Sequence, residues 1–141
     1  MGDNARITPD EFLALIRDTI PGSRTLETTV GPLGWGTARV VLEANASHGR
    51  AGGIVSGPTI MALVDTALYA AVLTRLGLEP MAVTTDLSVR FLRPAPIEAL
   101  AADATLVRMG RRLAVGEVRV STVSDGRLVA HATGTYALPQ G

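Results

Sequence analysis

The apolar residues of the chain follow three different spacings. From about residue 9 to residue 19 they recur at helical intervals, directly after Thr8-Pro9-Asp10-Glu11, which has the residue types of a capping box. From about 58 to 76 they are almost continuous, as expected of a helix that is covered on most sides. Beyond residue 82 they alternate with polar residues, which is the period of strands with one buried face. The pattern predicts a short N-terminal helix, a long central helix and a sheet.

Strands are predicted on both sides of the central helix. Two precede it and four follow it, over residues 26–30, 38–44, 83–91, 101–108, 113–121 and 128–138. In the first strand after the helix, strict alternation places Thr84 on the face opposite Leu87. The glycine-rich segment 45–53 is predicted to be a polar loop, with His48 exposed to solvent. Because an antiparallel sheet curled around the apolar helix would bury that helix, we predict a single α+β domain over residues 1–141.

One charged residue interrupts the apolar run of the central helix. Asp65 has no charged residue within three positions on either side. A carboxylate in an apolar setting is costly to bury unless it is hydrogen-bonded or paired. Asp65 is therefore interpreted either as a hydrogen-bonded structural acid or as a catalytic group. In the catalytic interpretation it activates water as a base, or attacks an electrophilic carbon as a nucleophile.

The start of the central helix predicts a site for negative charge. Ser56 or Gly57 can be the N-cap, and Pro58 suits the first helical position, where no backbone N–H is needed. The N–H of Gly57 would then point out of the helix N-terminus towards a developing oxyanion. Gly57 and Asp65 are eight residues apart, about 12 Å along a helix, so one chain cannot bring both to the same bond. Two antiparallel helices from two chains can, and the spacing therefore predicts a dimer if both residues act together.

Composition excludes several kinds of chemistry. Hydrophobic residues make up 47% and charged residues 18% of the 141 residues, and thirteen basic residues balance thirteen acidic ones. No basic run suits a nucleic acid, and the absence of cysteine removes disulfides, cysteine-ligated zinc and a cysteine nucleophile. His48 and His131 are too far apart in the sequence to indicate a metal site. Asp65 and Arg75 in the long apolar segment argue against a membrane span, and a cytoplasmic protein is expected.

Four segments stand in a characteristic order and spacing: GGIVSGPTIMALVDTALYAAV, AVTTDLSVRFLRPA, VRMGRRLAV and DGRLVAHATGTY. Together they resemble the hotdog-fold thioesterases of the phenylacetate-degradation (PaaI-like) type, over roughly residues 36 to 138. The resemblance implies a curved antiparallel sheet wrapped around a central helix, and assembly into homodimers or homotetramers. It also implies hydrolysis of acyl-coenzyme A (acyl-CoA) between two protomers, with coenzyme A as part of the substrate and no other cofactor.

The resemblance further implies roles for individual residues. The family places its catalytic carboxylate nine residues after the histidine of a His-Gly-Gly motif, and Asp65 stands at that position. Thr84 matches a serine or threonine that lies near the carboxylate and the attacking water. The motif histidine is replaced by Ser56, while Gly57 is retained as the expected oxyanion donor. Ser56 can supply a hydroxyl hydrogen bond to a thioester, but it cannot carry a charge.

Substrate-binding residues are expected on either side of these groups. Arg50 stands where the family often has an asparagine, and Pro58 follows the motif glycine. His48 lies close enough in sequence to replace the missing histidine, although an ordinary loop position is the simpler interpretation. Arg111 and Arg112 match a region near the coenzyme A nucleotide, and arginine suits phosphate binding, but they also fit ordinary solvated charges.

Other functions stay open at this point. A module that binds acyl-CoA or another apolar acid without hydrolysing it would explain why Ser56 replaces the histidine. A serine nucleophile with a histidine base would need His48 or His131 beside Ser56, and is disfavoured. A hotdog hydratase expects a different arrangement of aspartate and histidine, which the sequence does not contain.

Overall fold

The computed structural model describes residues 4–140 and contains one large sheet wrapped around one long helix. The helices are α1 (Pro9–Thr19) and α2 (Gly57–Leu76). The strands are β1 (Thr28–Val30), β2 (Thr37–Glu43), β3 (Gly49–Arg50), β4 (Ile54–Val55), β5 (Val83–Phe91), β6 (Ala99–Met109), β7 (Leu113–Thr122) and β8 (Leu128–Ala137). Six of them form an antiparallel sheet in the order β1-β2-β6-β7-β8-β5. The predicted α+β class and hotdog architecture are confirmed.

Helix α2 fills the concave face of the sheet. From Ala67 to Thr74 every residue is buried, because the sheet covers this part of the helix on most sides. The sheet comes close to the helix at Gly116 in β7 and Gly134 in β8. A Cβ at Gly116 would lie 2.6 Å from Cδ1 of Leu68, and one at Gly134 would lie 2.7 Å from Cδ2 of the same leucine. These glycines therefore leave the space that the Leu68 side chain occupies.

Helix α1 is capped locally and held against α2 by aromatic packing. The Thr8 side chain accepts a hydrogen bond from the Glu11 N–H, and the Glu11 carboxylate accepts one from the Thr8 N–H, which completes the capping box. Phe12 packs edge-to-face on Tyr69 of α2, with ring centroids 5.8 Å apart. A short 3₁₀ turn, Pro21–Thr25, follows α1 and leads into β1. The N-terminal segment thus lies along the side of α2 that the sheet leaves free.

The segment predicted as a polar loop is more ordered than its composition suggested. Ala46–His48 form a 3₁₀ turn, and β3 pairs with β4 in a short hairpin. The prediction that His48 is solvent-exposed is wrong, because the residue is only 9% exposed. Its Nδ1 accepts a hydrogen bond from the Asn45 N–H, and its backbone oxygen accepts one from the Ser56 N–H. These bonds fold the segment back onto the start of α2.

The predicted alternation in β5 also fails at one position. The pairing of β5 with β8 shifts register between Thr84 and Asp86, so the strand carries an irregularity at Thr85. Thr84 therefore lies opposite Tyr136 and points towards α2, as Leu87 does. Strict alternation had placed Thr84 on the opposite face from Leu87. The extra residue reverses the side on which Thr84 lies.

Among residues 4–140, α2 is the one helix long and apolar enough to cross a membrane, with a mean hydropathy of 1.4. Within the fold, 61% of that stretch is buried. Its apolar character is explained by its place at the centre of the sheet.

Candidate functional site

Asp65 is held at one of its two carboxylate oxygens. The Thr84 hydroxyl donates a hydrogen bond of 2.8 Å to Oδ1, and the Tyr136 phenol donates one of 2.7 Å to the same atom. The Tyr136 hydroxyl also lies 3.2 Å from the backbone oxygen of Asp65. Oδ2 forms no hydrogen bond with any residue between 4 and 140. The carboxylate is thus fixed in orientation while one oxygen stays available for a substrate or water.

Tyr136 is a site residue that the sequence did not single out. It is buried on the inner face of β8 and stacks on Tyr69, with ring centroids 5.6 Å apart. Burial and the negative charge of Asp65 raise the pKa of its phenol far above the usual value of a tyrosine. The phenol therefore stays protonated and remains a donor to Asp65. The alternation of β8 predicts an inward side chain at this position, but nothing in the sequence links it to a helix residue 71 positions earlier.

Asp65 opens onto a cavity of about 710 Å³ beside α2. One wall is a single face of the helix, formed by Pro58, Thr59, Ala62, Asp65, Thr66 and Tyr69. The facing wall comes from α1 and the turn after it, through Ile16, Ile20 and Leu26. Ser47 and His48 also line the cavity. An apolar chamber with a few polar groups and one anchored carboxylate suits a small organic substrate.

The start of α2 has the geometry of a helix cap. Ser56 is the N-cap: its Oγ accepts a hydrogen bond of 3.3 Å from the Thr59 N–H and lies 2.9 Å from the Thr59 hydroxyl. Pro58 occupies the first turn, where its missing N–H costs nothing. The Ser56 hydroxyl is therefore already engaged with Thr59.

Gly57 and Asp65 face different grooves of the same protomer. Gly57 lines a groove of about 440 Å³ with Arg50, Phe91 and Arg93, whereas Asp65 lines the cavity beside α1. A Cβ at Gly57 would lie 3.6 Å from Cζ of Phe91, so the glycine is in close reach of that ring. The structure does not bring the two groups onto one groove of a single chain.

The sheet ends at an edge strand that carries apolar side chains. β5 pairs with β8 on one side only within residues 4–140. Its Val83 and Phe91 are 46% and 50% exposed, and Leu92 just beyond it is 50% exposed. Met61, on the exposed face of α2, is 40% exposed. An unpaired edge with exposed apolar residues is a surface that proteins normally cover.

A basic groove lies at the turn between β6 and β7. Arg108, Arg111 and Arg112 line a space of about 420 Å³ together with Gly110 and Leu113. The one salt bridge formed among the described residues is between Arg39 and Asp103, so none of the three arginines of this groove is neutralised within the described chain. Their guanidinium groups are free to bind an anion.

The two histidines lie in different parts of the fold. His48 lines the Asp65 cavity. His131 lies on β8 directly between Arg119 of β7 and Arg90 of β5, and its neighbours Ala130 and Ala132 are the residues that face the core. In the part of the chain that the structure describes, no three acidic or histidine residues cluster as a metal site would require.

Comparisons with known proteins agree with this geometry. Residues 52–129 match the family model of the Thioesterase superfamily. A solved thioesterase structure from Silicibacter sp. TM1040 is 33% identical and superposes with a TM-score of 0.86 over 99% of this chain and 97% of that one. The phenylacetic acid degradation protein PaaI from Thermus thermophilus, solved as a point mutant, is 32% identical with a TM-score of 0.75, over 84% of this chain and 99% of that one.

The chain belongs to the Thioesterase superfamily and is a hotdog-fold protein of the PaaI-like type. A curated relative from Halobacterium salinarum that is named as an esterase is 41% identical over 86 residues, which is 59% of this chain. The present chain spans 56% of the length of that relative.

Proposed function

We propose that this protein is an acyl-CoA thioesterase in which Asp65 is the catalytic carboxylate. The observation that carries the proposal is the Asp65 carboxylate itself, held at Oδ1 by two hydroxyl donors on the wall of a largely apolar cavity. The apolar wall accommodates an acyl group. The free Oδ2 accepts a proton from water or attacks the thioester carbon. Membership of a thioesterase family supports the same reaction.

In the first of two possible mechanisms, Asp65 acts as a general base. Water attacks the thioester carbon while Asp65 takes its proton, and the carbonyl oxygen becomes an oxyanion. A backbone N–H at the start of α2 stabilises that oxyanion, since helix N-termini favour negative charge. The C–S bond then breaks, and the coenzyme A thiolate leaves and receives the proton. In the nucleophilic alternative, Oδ2 attacks the thioester carbon, the C–S bond breaks and the coenzyme A thiolate leaves, which gives a mixed anhydride. Water then hydrolyses the anhydride to the free acid and the Asp65 carboxylate, and the proton released goes to the thiolate.

The active unit that we propose is a homodimer, or a homotetramer built from such dimers. Gly57 and Asp65 of one protomer open onto separate grooves, so the oxyanion donor for each Asp65 is the Gly57 of a second copy. The edge of β5 and the exposed Phe91, Leu92 and Met61 supply an apolar surface for that copy. The same assembly removes the unpaired strand edge.

The coenzyme A part of the substrate is proposed to bind through arginines. The groove with Arg108, Arg111 and Arg112 offers three positive charges, and Arg50 lies in the groove that contains Gly57. Guanidinium groups bind phosphate oxygens with two parallel hydrogen bonds.

A cytoplasmic location remains a prediction from the absence of cysteine.

Binding without hydrolysis is the second candidate, and the Ser56 position favours it. Ser56 stands where the family has a histidine, and its hydroxyl is engaged with Thr59 at the helix cap. A site that lacks the histidine can hold a thioester and still fail to polarise its carbonyl. Ser56→His distinguishes the candidates: a gain in turnover favours a weakened enzyme, whereas a gain in binding alone favours a binding module.

The proposal is tested by measuring thiol release from short, long and aromatic acyl-CoA esters with purified protein. Asp65→Asn keeps the size of the side chain and removes the basic oxygen, and loss of a general base typically lowers the rate by about 10² to 10⁴. Turnover by the wild-type protein, lost in Asp65→Asn with ligand binding retained, is the expected result. Equal turnover by both proteins would show that Asp65 is not catalytic. Binding without turnover in the wild type would establish the binding module.

A further inference from the structure

The imidazole of His48 is largely buried in a defined orientation. The residue as a whole is 9% exposed, and Nδ1 accepts a 3.0 Å hydrogen bond from the Asn45 N–H. Because Nδ1 is an acceptor, the neutral ring carries its proton on Nε2. Nε2 forms no hydrogen bond with any of residues 4–140, and it is not sealed off from the space around it. A donor without a protein partner in a mostly desolvated setting is suited to a ligand.

His48 lies beside the start of α2 and lines the same cavity as Asp65. Its backbone oxygen accepts a 2.9 Å hydrogen bond from the Ser56 N–H, which fixes His48 beside the first turn of α2. From Pro58 to Asp65 is about 10 Å along the helix at 1.5 Å per residue. Both residues line the same cavity, and so does His48. Asp65 and His48 therefore border the same cavity from different places, Asp65 from the helix itself and His48 from beside its first turn.

The cavity that these two groups line contains both apolar and hydroxyl-bearing side chains. Ile16, Ile20 and Ala62 line it, and so do Thr59 and Thr66. His48 and Ser47 also border a second groove that contains Glu43 and Asn45. An acyl group that lies along α2 from Asp65 towards the start of the helix would contact apolar side chains of this wall and could reach the hydrogen-bonding groups of His48 and Ser47.

We propose that His48 is a specificity residue that selects acyl groups bearing an oxygen remote from the thioester, with the Nε2–H donating a hydrogen bond to that hydroxyl or ketone oxygen. The inference rests on the proposed function, because it takes the acyl group to lie in the Asp65 cavity. The substrate class that it names is an ω-oxygenated acyl thioester. The N-terminal segment, α1 with the turn that follows, forms the facing wall and so limits the length and width of the chain.

Two substitutions test the roles of Nδ1 and Nε2 one at a time. His48→Asn retains an acceptor near the position of Nδ1, so the bond from Asn45 can persist, but it removes the Nε2 donor. His48→Gln places an amide N–H near the position of Nε2 and loses the Nδ1 acceptor. The matched control is His131→Asn. It makes the same histidine-to-asparagine replacement at a sheet position between Arg119 and Arg90.

The experiment compares acyl-CoA esters with their ω-hydroxy counterparts over a series of chain lengths. The wild-type protein is expected to prefer the hydroxylated ester in kcat/KM at one or two lengths, by about threefold to tenfold, as one neutral hydrogen bond allows. His48→Asn should lose the preference, while His48→Gln should keep part of it and melt at a lower temperature. His131→Asn should retain the wild-type preference. A wild type without any preference, or a His48→Asn variant that keeps it, would overturn the proposal.

The inference and the proposed function can fail separately. Titration with non-hydrolysable thioether analogues measures the same preference as a ratio of Kd values. A protein that binds the hydroxylated analogue more tightly without any turnover upholds the role of His48 and refutes the enzyme. If the His48 variants do not fold, the His131→Asn protein keeps a single imidazole, whose Nε2–H resonance can be followed by NMR. That resonance should shift more with the hydroxylated analogue than with the plain one, and an equal shift would refute the role of His48.

Discussion

The phenol of Tyr136 and the carboxylate of Asp65 meet at a hydrogen bond of 2.7 Å, although the two residues come from the last strand and the central helix. The Thr84 hydroxyl reaches the same oxygen from β5, directly opposite Tyr136 in the sheet. Three elements therefore converge on Oδ1. The arrangement fixes the direction of Oδ2, which is the atom that the proposed chemistry requires.

Tyr136→Phe is expected to lower kcat while leaving KM nearly unchanged. The substitution removes one hydrogen bond to a charged group, which contributes about 1.5–3 kcal/mol and corresponds to a loss of about 10- to 100-fold in rate if the bond is needed in the transition state. The phenylalanine ring can keep the stacking on Tyr69, so the fall in melting temperature should be no larger than the loss of one hydrogen bond causes. Steady-state kinetics and thermal melting on one preparation provide the test.

The matched control is Tyr69→Phe, which removes the other phenol of the stacked pair. The Tyr69 hydroxyl donates a 3.3 Å hydrogen bond to the backbone oxygen of Glu79, whereas the hydrogen bonds to the Asp65 carboxylate come from Thr84 and Tyr136. Its effect on kcat should be much smaller. A large fall in melting temperature with an unchanged kcat in Tyr136→Phe would mean that the bond to Asp65 is structural only.

The elements of this fold could be predicted from local patterns, but the contacts at the site could not. The buried face of α2 and the alternation in β6, β7 and β8 are properties of neighbouring residues, and the sequence displays them directly. The side on which Thr84 lies depends on one irregular residue in the pairing of two strands. The burial of His48 depends on a short hairpin that packs on a helix start. Both features follow from pairing between segments, which periodicity does not encode.

Asp65 could be singled out from the sequence, whereas Tyr136 could not. The isolated carboxylate in an apolar helix is conspicuous in the sequence, and two open interpretations followed from it. A tyrosine on the inner face of a strand is ordinary, because aromatic residues are common in strands. Only the three-dimensional structure shows that this tyrosine is a donor to Asp65.

Alkaline pH is expected to destabilise the fold through Tyr136. All thirteen basic residues are arginine, so no lysine titrates near pH 10, and Tyr69 and Tyr136 are the only tyrosines. The pKa of Tyr136 is raised by burial and by Asp65, and that of Tyr69 is raised by burial and by Glu79. A tyrosine whose pKa is higher in the folded state stabilises the protein fully below its unfolded pKa of about 10, and the contribution is lost as the pH rises further.

The free energy of unfolding should therefore fall above pH 10, by at most about 1.4 kcal/mol per pH unit for each tyrosine that stays protonated in the folded state. Urea unfolding at fixed protein concentration between about pH 8 and pH 11, on either side of the ordinary tyrosine pKa, measures this slope. In Tyr136→Phe, the free energy of unfolding should fall less steeply with pH than in the wild type. Identical slopes for the two proteins would show that Tyr136 does not cause the loss of stability at alkaline pH.

Gly116→Ala is expected to destabilise the protein by about 1–3 kcal/mol, because an added methyl group overpacks the contact between the sheet and α2. The new Cβ would lie 2.6 Å from Cδ1 of Leu68 and 3.1 Å from the backbone oxygen of Thr105, and a backbone atom cannot rotate away. Gly22→Ala is the control, since a Cβ there meets nothing within 4 Å, and it should change stability by no more than about 0.5 kcal/mol. Denaturant unfolding of both variants is the measurement. A stable Gly116→Ala protein would mean that Leu68 and the sheet can separate at little cost.

The shared-site assembly can be tested by combining two inactive subunits. Asp65→Asn removes the carboxylate. Gly57→Pro removes the proposed oxyanion donor at the first residue of α2, where the N–H makes no intrahelical hydrogen bond. Each variant alone should be inactive as a homodimer, because both of its sites lack one group.

Coexpression with two different affinity tags allows the mixed dimer to be purified away from both parents. If each site takes Asp65 from one chain and Gly57 from the other, one site of the mixed dimer contains two mutant groups and the second site is intact. Activity should then return to about half of the wild-type value per dimer, as the two-fold symmetry of such an interface requires. If each site is built within one chain, every site of the mixed dimer lacks one group, and activity stays at the level of the parents. A mixed dimer that assembles without any gain in activity would refute the shared site, and an active wild-type monomer in sedimentation would do the same.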